Sequence, residues 1–485
     1  MRRAVGSAAF FFYTGLRKEK ARVREATARG SAEGVKDLPS AGMRGAIVAQ
    51  RIQGTEDLYG GYMRSWQRMC DIARELFGSY GFDAIETPAI EQVATFTHGI
   101  GESTDVVRKE MFRVFSGALL EDVFARGSEE GLKAKQRMAM RPEGTAGVVR
   151  AAVEHNFVPQ GAAPAKVWYS EAMFRGERPQ RGRLRQFHQV GVEWLGAEDP
   201  AADAETIIML MEFYKRLGLP QESLTLRINS MGDGECRPAY REKVRQFILD
   251  HADEMCEDCR ERADLNPLRA FDCKVDRDRE IMRDAPLVTD NLCDDCRDHY
   301  AQVKKYLDEA GIKYIEDPTL VRGLDYYMRT VFEVEYTANA GIGAIGGGGR
   351  YDGLAELEGG KHTPGIGFAV GFERIMLALE DAGVNLAGED PSCVYVANTE
   401  PELREAAFRA TLALRSAGIR AEADYQGRSL KSQFKQADKH NARLCVVLGP
   451  DEVAAGVATV RDMGTHEQVQ VPMADLAAKV SELLG

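Results

Sequence analysis

Phe174-Arg-Gly-Glu-Arg-Pro-Gln-Arg-Gly-Arg-Leu-Arg-Gln-Phe-His-Gln-Val-Gly-Val-Glu193 reads as the end of one strand, an arginine-crowded loop and a second strand. The loop, residues 176–183, carries Arg178, Arg181 and Arg183. In the second strand, side chains repeat on one face every second residue, which puts Phe187, Gln189, Gly191 and Glu193 together. An aromatic ring, an amide, a gap and a carboxylate in register make a floor for a small molecule. Guanidinium forks around an anion then complete an ATP-like site. The competing reading is a solvated basic hairpin over a core strand, although core strands seldom aim Gln and Glu to the same side.

Outward from this hairpin the pattern stays strand-rich. Residues 111–115, 138–141, 167–175, 186–194, 225–229 and 330–336 read as strands. Before them, Trp66, Met69, Cys70, Ala73, Leu76, Phe77 and Tyr80 recur at helical steps, and Gly81 supplies a stop. Residues 82–90 alternate around Pro88, as an edge or interface strand does. After the hairpin, Asp199 caps a helix with Pro200 in its first turn. A further helix runs over 372–382. Many strands with few regular crossovers predict an α+β domain with a mixed, mostly antiparallel sheet. A charged, helix-rich stretch over 234–317 reads as an inserted helical domain, and residues 115–137 as a surface insertion. Residues 384–392 read as a linker, and 391–485 as a small α/β domain with a mainly parallel sheet.

Length and composition set outer bounds. A chain of 485 residues needs more than one core. It contains no apolar run long enough to span a membrane. The net charge of −12 does not by itself suggest a nucleic-acid partner, so any such contact must use a local basic patch. Nine cysteines are too sparse and odd in number for a disulfide-stapled domain, which favours a reducing cytoplasm. Residues 1–42 superficially copy a signal peptide (Arg2 and Arg3, then an apolar run to Tyr13), but no small-residue cleavage site follows. Glu19, Glu25 and Glu33 weigh against an organelle-targeting peptide. A disordered leader, or a start placed before Met43, is the expectation, with a catalytic domain over 43–390.

The hairpin resembles motif 2 of class II aminoacyl-tRNA synthetases, in the form used by histidyl-tRNA synthetases. The resemblance implies that Arg175 contacts the ATP α-phosphate, Arg183 the γ-phosphate and Phe187 the adenine, with Glu177 in the same loop. It also implies that Gln189 faces the amino acid and that Glu193 binds its imidazole. Met140-Arg-Pro-Glu-Gly-Thr-Ala-Gly147 is similar to a strand-to-helix corner of that family, where Glu143 and Thr145 accept from the substrate's ammonium group. Leu320-Val-Arg-Gly-Leu-Asp-Tyr-Tyr-Met-Arg-Thr-Val-Phe-Glu333 resembles a peptide peculiar to it. There Arg322 lies against the α-phosphate, stabilising charge as the phosphoryl group is attacked, and Tyr327 pairs with Glu193 to read both ring nitrogens.

Residues 341–346 fit G-x-G-x-x-G, but no helix follows and the run leads into Gly347-Gly-Gly-Arg-Tyr-Asp-Gly353, against a dinucleotide fingerprint. It resembles instead the family's second histidine-specific peptide, with Tyr351 lining the imidazole pocket. Gly365-Ile-Gly-Phe-Ala-Val-Gly-Phe-Glu-Arg374 resembles class II motif 3, which places Arg374 over the adenine. The Pro88 segment resembles motif 1, implying a homodimer. Gly176 and Met328 depart from the family's pattern. The implied activity is ligation of L-histidine to tRNA(His) through an adenylate, catalysed by Arg175, Gln189 and Arg322, with Mg2+ accompanying ATP. A non-enzymatic regulatory paralogue shares the fold but lacks the last domain and erodes the arginines. A pseudo-synthetase domain would need an attached kinase.

Two signals remain. Cys256-x-x-Cys259 and Cys293-x-x-Cys296, with Cys273 between, have the spacing of a four-thiolate structural zinc site. A redox pair and ordinary thiols are the alternatives. In the last domain, Arg428, Lys431, Lys435, Lys439 and Arg443 form a basic edge that fits phosphates or a solvated face. The resemblance of residues 393–485 to the family's anticodon-binding domain favours tRNA.

Overall fold

Ten-residue strands Ala165–Phe174 and Gln186–Leu195 pair antiparallel, with Phe174 opposite Gln186 and Ala165 opposite Leu195, as the hairpin reading requires. The computed structural model describes residues 50–485 apart from 103, 130 and 278. The expectation for residues 1–42 lies outside the described residues. Everything below concerns Ile52–Gly485, which makes one compact unit.

In chain order the strands before residue 390 are β1 Asp83–Ala84, β2 Ile90–Gln92, β3 Arg113–Val114, β4 Met138–Met140, β5 Ala165–Phe174, β6 Gln186–Leu195, β7 Leu224–Ser230, β8 Ile315–Glu316, β9 Met328–Tyr336, β10 Gly343–Arg350 and β11 Gly365–Gly371. Eight of them form one sheet in the order β1-β5-β6-β11-β10-β9-β7-β8, and the short β2-β4-β3 sheet stands apart. Every interior pairing of the large sheet is antiparallel, and only its two edges are parallel. The mixed, mostly antiparallel expectation holds.

One strand is new. β10 is the glycine run, which carries almost no β-branched signal and gains its conformation from pairing with β9 and β11. Its glycines answer crowding. A Cβ on Gly348 would run into the Gly367 carbonyl oxygen, and one on Gly349 would lie 2.7 Å from the Thr330 carbonyl oxygen and 2.8 Å from the Tyr327 ring.

One face of the sheet takes the apolar stripe of helix Gly60–Ser79, where Met69, Ile72, Ala73, Leu76 and Phe77 are buried with Val190 and Val192 of β6. Helix Pro200–Arg216 joins the same core, started by the Asp199 carboxylate accepting from the Ala201 N–H at 2.8 Å. Under it lies a buried polar knot. Asp203 pairs with Arg350, accepts from Thr330 at 2.6 Å and lies 2.7 Å from His299 Nε2. Burial alone would raise the Asp203 pKa, but Arg350 and His299 bring it below the ordinary carboxylate value.

Between β7 and β8 the chain forms helices Arg237–Asp250, Glu257–Arg262 and Asp294–Glu309, joined by short 3-10 turns. After residue 390 come β12 Cys393–Asn398, β13 Ala421–Ala423, β14 Ala442–Leu448, β15 Val457–Asp462 and β16 Gln468–Pro472, ordered β13-β12-β14-β15-β16. Only β13-β12-β14 is parallel; β15 and β16 pair antiparallel. The mainly parallel expectation is therefore corrected. Helices Arg404–Ser416 and Leu430–Lys439 provide crossovers, but helix Pro450–Ala455 is too short to return the chain to the same edge. Among the described residues, no helix is long and apolar enough to cross a membrane.

Candidate active site

Strand β6 sends Val190 and Val192 into the core, so Phe187, Gln189, Gly191 and Glu193 occupy the opposite face, as alternation demands. The gap at Gly191 is filled from the neighbouring strand: Tyr169 stands opposite it, and a Cβ on Gly191 would strike the Tyr169 ring. Glu193 is buried among hydroxyls. Thr145 donates to its Oε1 at 2.7 Å, Tyr169 lies 3.4 Å from the same oxygen, and Tyr351 donates to Oε2. Burial pushes the Glu193 carboxyl up to about 8, although these hydroxyls favour its charged form.

Thr145 opens helix Thr145–His155, and Glu143 covers that helix end, its oxygens accepting from the Thr145 and Ala146 N–H groups at 2.8 and 2.9 Å. Tyr326 also donates to Glu143, at 3.3 Å. The Thr145 hydroxyl spends its proton on Glu193 and keeps its lone pairs, so it remains an acceptor beside a second carboxylate. Tyr327 packs on Tyr326, with ring centroids 4.6 Å apart, and Tyr326 lies edge-on to Tyr351 at 5.9 Å. Gln189 Oε1 is buried without a hydrogen-bond partner. Such a group normally has one, so an N–H donor on a ligand would complete it.

The four arginines come from three segments: the hairpin (Arg175 and Arg183), the stretch before β9 (Arg322) and the helix after β11 (Arg374). Arg175 lies 5.1 Å over the Phe187 ring and donates through Nε to the Pro142 carbonyl at 2.9 Å. Arg183 pairs with Glu177 at 3.5 Å. Arg374, in the first turn of helix Phe372–Asp381, donates to the Ala344 carbonyl at 2.6 Å. Arg322 pairs with Glu333 of β9 and lies 5.9 Å from the Tyr327 ring. Gly347 leaves room for it, since a Cβ there would come within 2.9 Å of its Nη1. Burial, then the like charges of Arg183 and Arg175, lower the Arg374 pKa, while Glu177 and Glu333 oppose the shift. The guanidiniums thus feel one another, and an anion among them would relieve that repulsion.

The expected residues therefore converge: Glu143, Thr145, Gln189, Glu193, Tyr327 and Tyr351 at one end, with Arg175, Glu177, Arg183, Phe187, Arg322 and Arg374 at the other. Sequence reasoning missed Tyr169, Tyr326 and Glu333. The signal for Tyr169 was Gly191 itself, because an interior strand glycine marks close approach of another group. Gly176 has a local reason: its N–H reaches the Glu110 carbonyl at 2.5 Å, and a Cβ would lie 3.2 Å from that oxygen.

Away from this pocket, one expectation fails. Cys256, Cys259, Cys293 and Cys296 do not form a single four-thiolate set. Cys256 and Cys259 gather with Cys273 and Asp276, and Cys293 and Cys296 gather with Cys236 and Asp233. Each pair's partner is a mixed Cys/Asp pair that a search for thiols alone passes over. In the last sheet's region, Lys431 and Lys435 are exposed on helix Leu430–Lys439, whereas Arg428 is held to Asp424 at 3.0 Å.

Comparison with known proteins agrees with this geometry. The family model described as histidyl-tRNA synthetase matches residues 129–375, and one described as an anticodon binding domain matches residues 393–483. The histidine--tRNA ligase of Halothermothrix orenii is 45% identical over 432 residues, covering 89% of this chain and 99% of the relative. That of Moorella thermoacetica is 44% identical over 439 residues, covering 90% and 99%. The crystal structure of apo S. aureus histidyl-tRNA synthetase superposes with a TM-score of 0.72 at 34% identity, covering 89% of this chain and 99% of that one. Sequence, fold and pocket agree, and the chain belongs to the histidyl-tRNA synthetase family.

Proposed function

We propose that this protein ligates L-histidine to tRNA(His) in two steps, through histidyl-adenylate. The observation that carries the proposal is the buried Glu193 carboxylate, ringed by hydroxyls and set beside the cluster of four arginines. In the first step an oxygen of histidine's carboxylate attacks the ATP α-phosphorus, and the bond to the bridging oxygen breaks to release pyrophosphate. In the second, a ribose hydroxyl at the tRNA 3′ end attacks the adenylate carbonyl and AMP departs.

Arg175 and Arg322 hold the α-phosphate and stabilise the charge that builds on it. Arg183 and Arg374 take the γ-phosphate end, with Glu177 positioning Arg183. Adenine stacks on Phe187. Glu143, Thr145 and the unpartnered Gln189 oxygen accept from the substrate's ammonium group. Glu193 meets one imidazole nitrogen and Tyr327 the other, while Tyr351 orients the carboxylate. Mg2+ enters as part of the ATP substrate, held mainly through phosphate oxygens. Zinc, where bound, belongs to the insertion and not to this reaction.

The assignment divides the chain into a catalytic region over 43–390, an insertion over 234–317 and an anticodon-binding region over 391–485. Exposed Lys431 and Lys435, with Arg428, face the tRNA phosphates. A homodimer in the cytoplasm completes the reading, supported by family membership. The test is charging of tRNA(His) with labelled histidine. Acid-precipitable histidyl-tRNA is the expected product, and its absence with a folded protein and intact tRNA would overturn the proposal.

A further inference from the structure

The insertion, with the residue just before it, contains four short x-x-spaced pairs: Asp233/Cys236, Cys256/Cys259, Cys273/Asp276 and Cys293/Cys296. The fold nests them, joining the first to the last and the second to the third. In each group the four ligand atoms lie within 4.8 Å of one another. Cys236 Sγ is 3.9 Å from Cys296 Sγ and 3.6 Å from Asp233 Oδ1, which is 3.8 Å from Cys293 Sγ. In the second group Cys256 Sγ is 3.7 Å from Cys273 Sγ. Donors on one tetrahedral zinc, at Zn–S of about 2.3 Å, stand roughly 3.8 Å apart along the edges. Disulfide-bonded sulfurs would stand at roughly 2 Å.

We infer that the insertion holds two structural zinc ions, each bound by three thiolates and one aspartate. Local geometry produces both sites. Cys236, Cys256 and Cys293 sit at the N-caps of helices Arg237–Asp250, Glu257–Arg262 and Asp294–Glu309. In the latter two helices the second cysteine follows within the first turn, so both sulfurs face one point. Backbone N–H groups turn toward the sulfurs, Asp233 N to Cys236 Sγ at 3.4 Å and Val275 N to Cys273 Sγ at 3.5 Å. Such donors are the outer partners that orient metal ligands.

Three thiolates and a carboxylate around Zn2+ leave excess negative charge, and each group has an arginine beside it. Arg329 lies 3.2 Å from Asp233 Oδ2, and Arg279 lies 3.1 Å from Asp276 Oδ1. Soft sulfur donors in a tetrahedral set select zinc over magnesium or calcium. Each thiol releases its proton to solvent as its bond to zinc forms. Between β7 and β8 the described residues form helices and 3-10 turns and no strand, so the two groups join segments that no sheet connects.

The test is zinc stoichiometry of the full chain purified under reducing conditions, incubated with excess Zn2+ and desalted. About two zinc per chain are expected, and Cys70→Ser, at a cysteine outside both groups, should also hold two. Cys273→Ser and Cys293→Ser should each lose one, and the double variant both. One zinc or none in the unsubstituted chain overturns the inference, as does a folded single variant that loses both. Should a variant not fold, titration of the metal-stripped unsubstituted chain with Co2+ decides. Thiolate-to-cobalt absorbance must saturate at two equivalents, and saturation at one, or no absorbance, overturns the inference. These readouts need no histidine, ATP or tRNA, so they stand or fall apart from the proposed reaction.

Discussion

A carboxylic acid held near pKa 8 is protonated much of the time at neutral pH, and burial makes Glu193 such a group. Its folded pKa exceeds the unfolded value of about 4.3, so the folded state binds the extra proton between the two. Stability from this group is full below about pH 4 and declines as pH rises toward 8. Glu193→Gln should flatten that decline in urea melts taken across pH 5 to 8; an unchanged slope would reject the assignment. The same variant should raise the KM for histidine by roughly 10- to 150-fold, the worth of one charge-assisted hydrogen bond. Arg322→Ala should depress adenylate formation by about 10²-fold, as loss of a charge-stabilising donor does. At this scale the β6 face was readable, because alternation along one strand is a property of the chain alone. Tyr169 and Tyr326 were not, because they enter the pocket through other segments. Asp233 and Asp276 escaped notice because an aspartate near a cysteine carries no distinctive pattern.

Strand β10 has the least strand-like composition in the large sheet, yet it lies near the centre. Close approach, not propensity, explains it: neighbouring backbones and the Arg322 and Tyr327 side chains occupy the space side chains would take. Gly348→Ala should therefore cost at least about 3 kcal/mol in a denaturant melt, the upper part of the range for overpacking. Gly371→Ala, where a Cβ meets nothing within 4 Å, should change stability far less. Equal effects would mean that crowding does not set the sequence there. The hairpin and the Asp199-capped helix were legible because their signals are local: alternation, a cap and a stop. The glycine strand and the direction of β15 and β16 were not, since both depend on which partner a strand finds and how much chain is available to reach it.

Across the molecule, the Asp203 knot ties helix Pro200–Arg216, strands β9 and β10 and helix Asp294–Glu309 together beneath the pocket floor. Arg350→Met would leave Asp203 buried without its principal partner and should cost about 3–5 kcal/mol. A melt within about 1 kcal/mol of the parent would show that the buried Asp203 does not depend on Arg350. The pocket above it makes a stricter demand, because its acid, phenols and guanidiniums come from segments far apart in the chain and work only together. Isotope exchange between pyrophosphate and ATP, run with each amino acid in turn, reads that cooperation directly. Exchange should appear with histidine and not with the others, and should fall sharply in Arg322→Ala. Exchange that ignores histidine, or that is equally strong with another amino acid, would contradict the account.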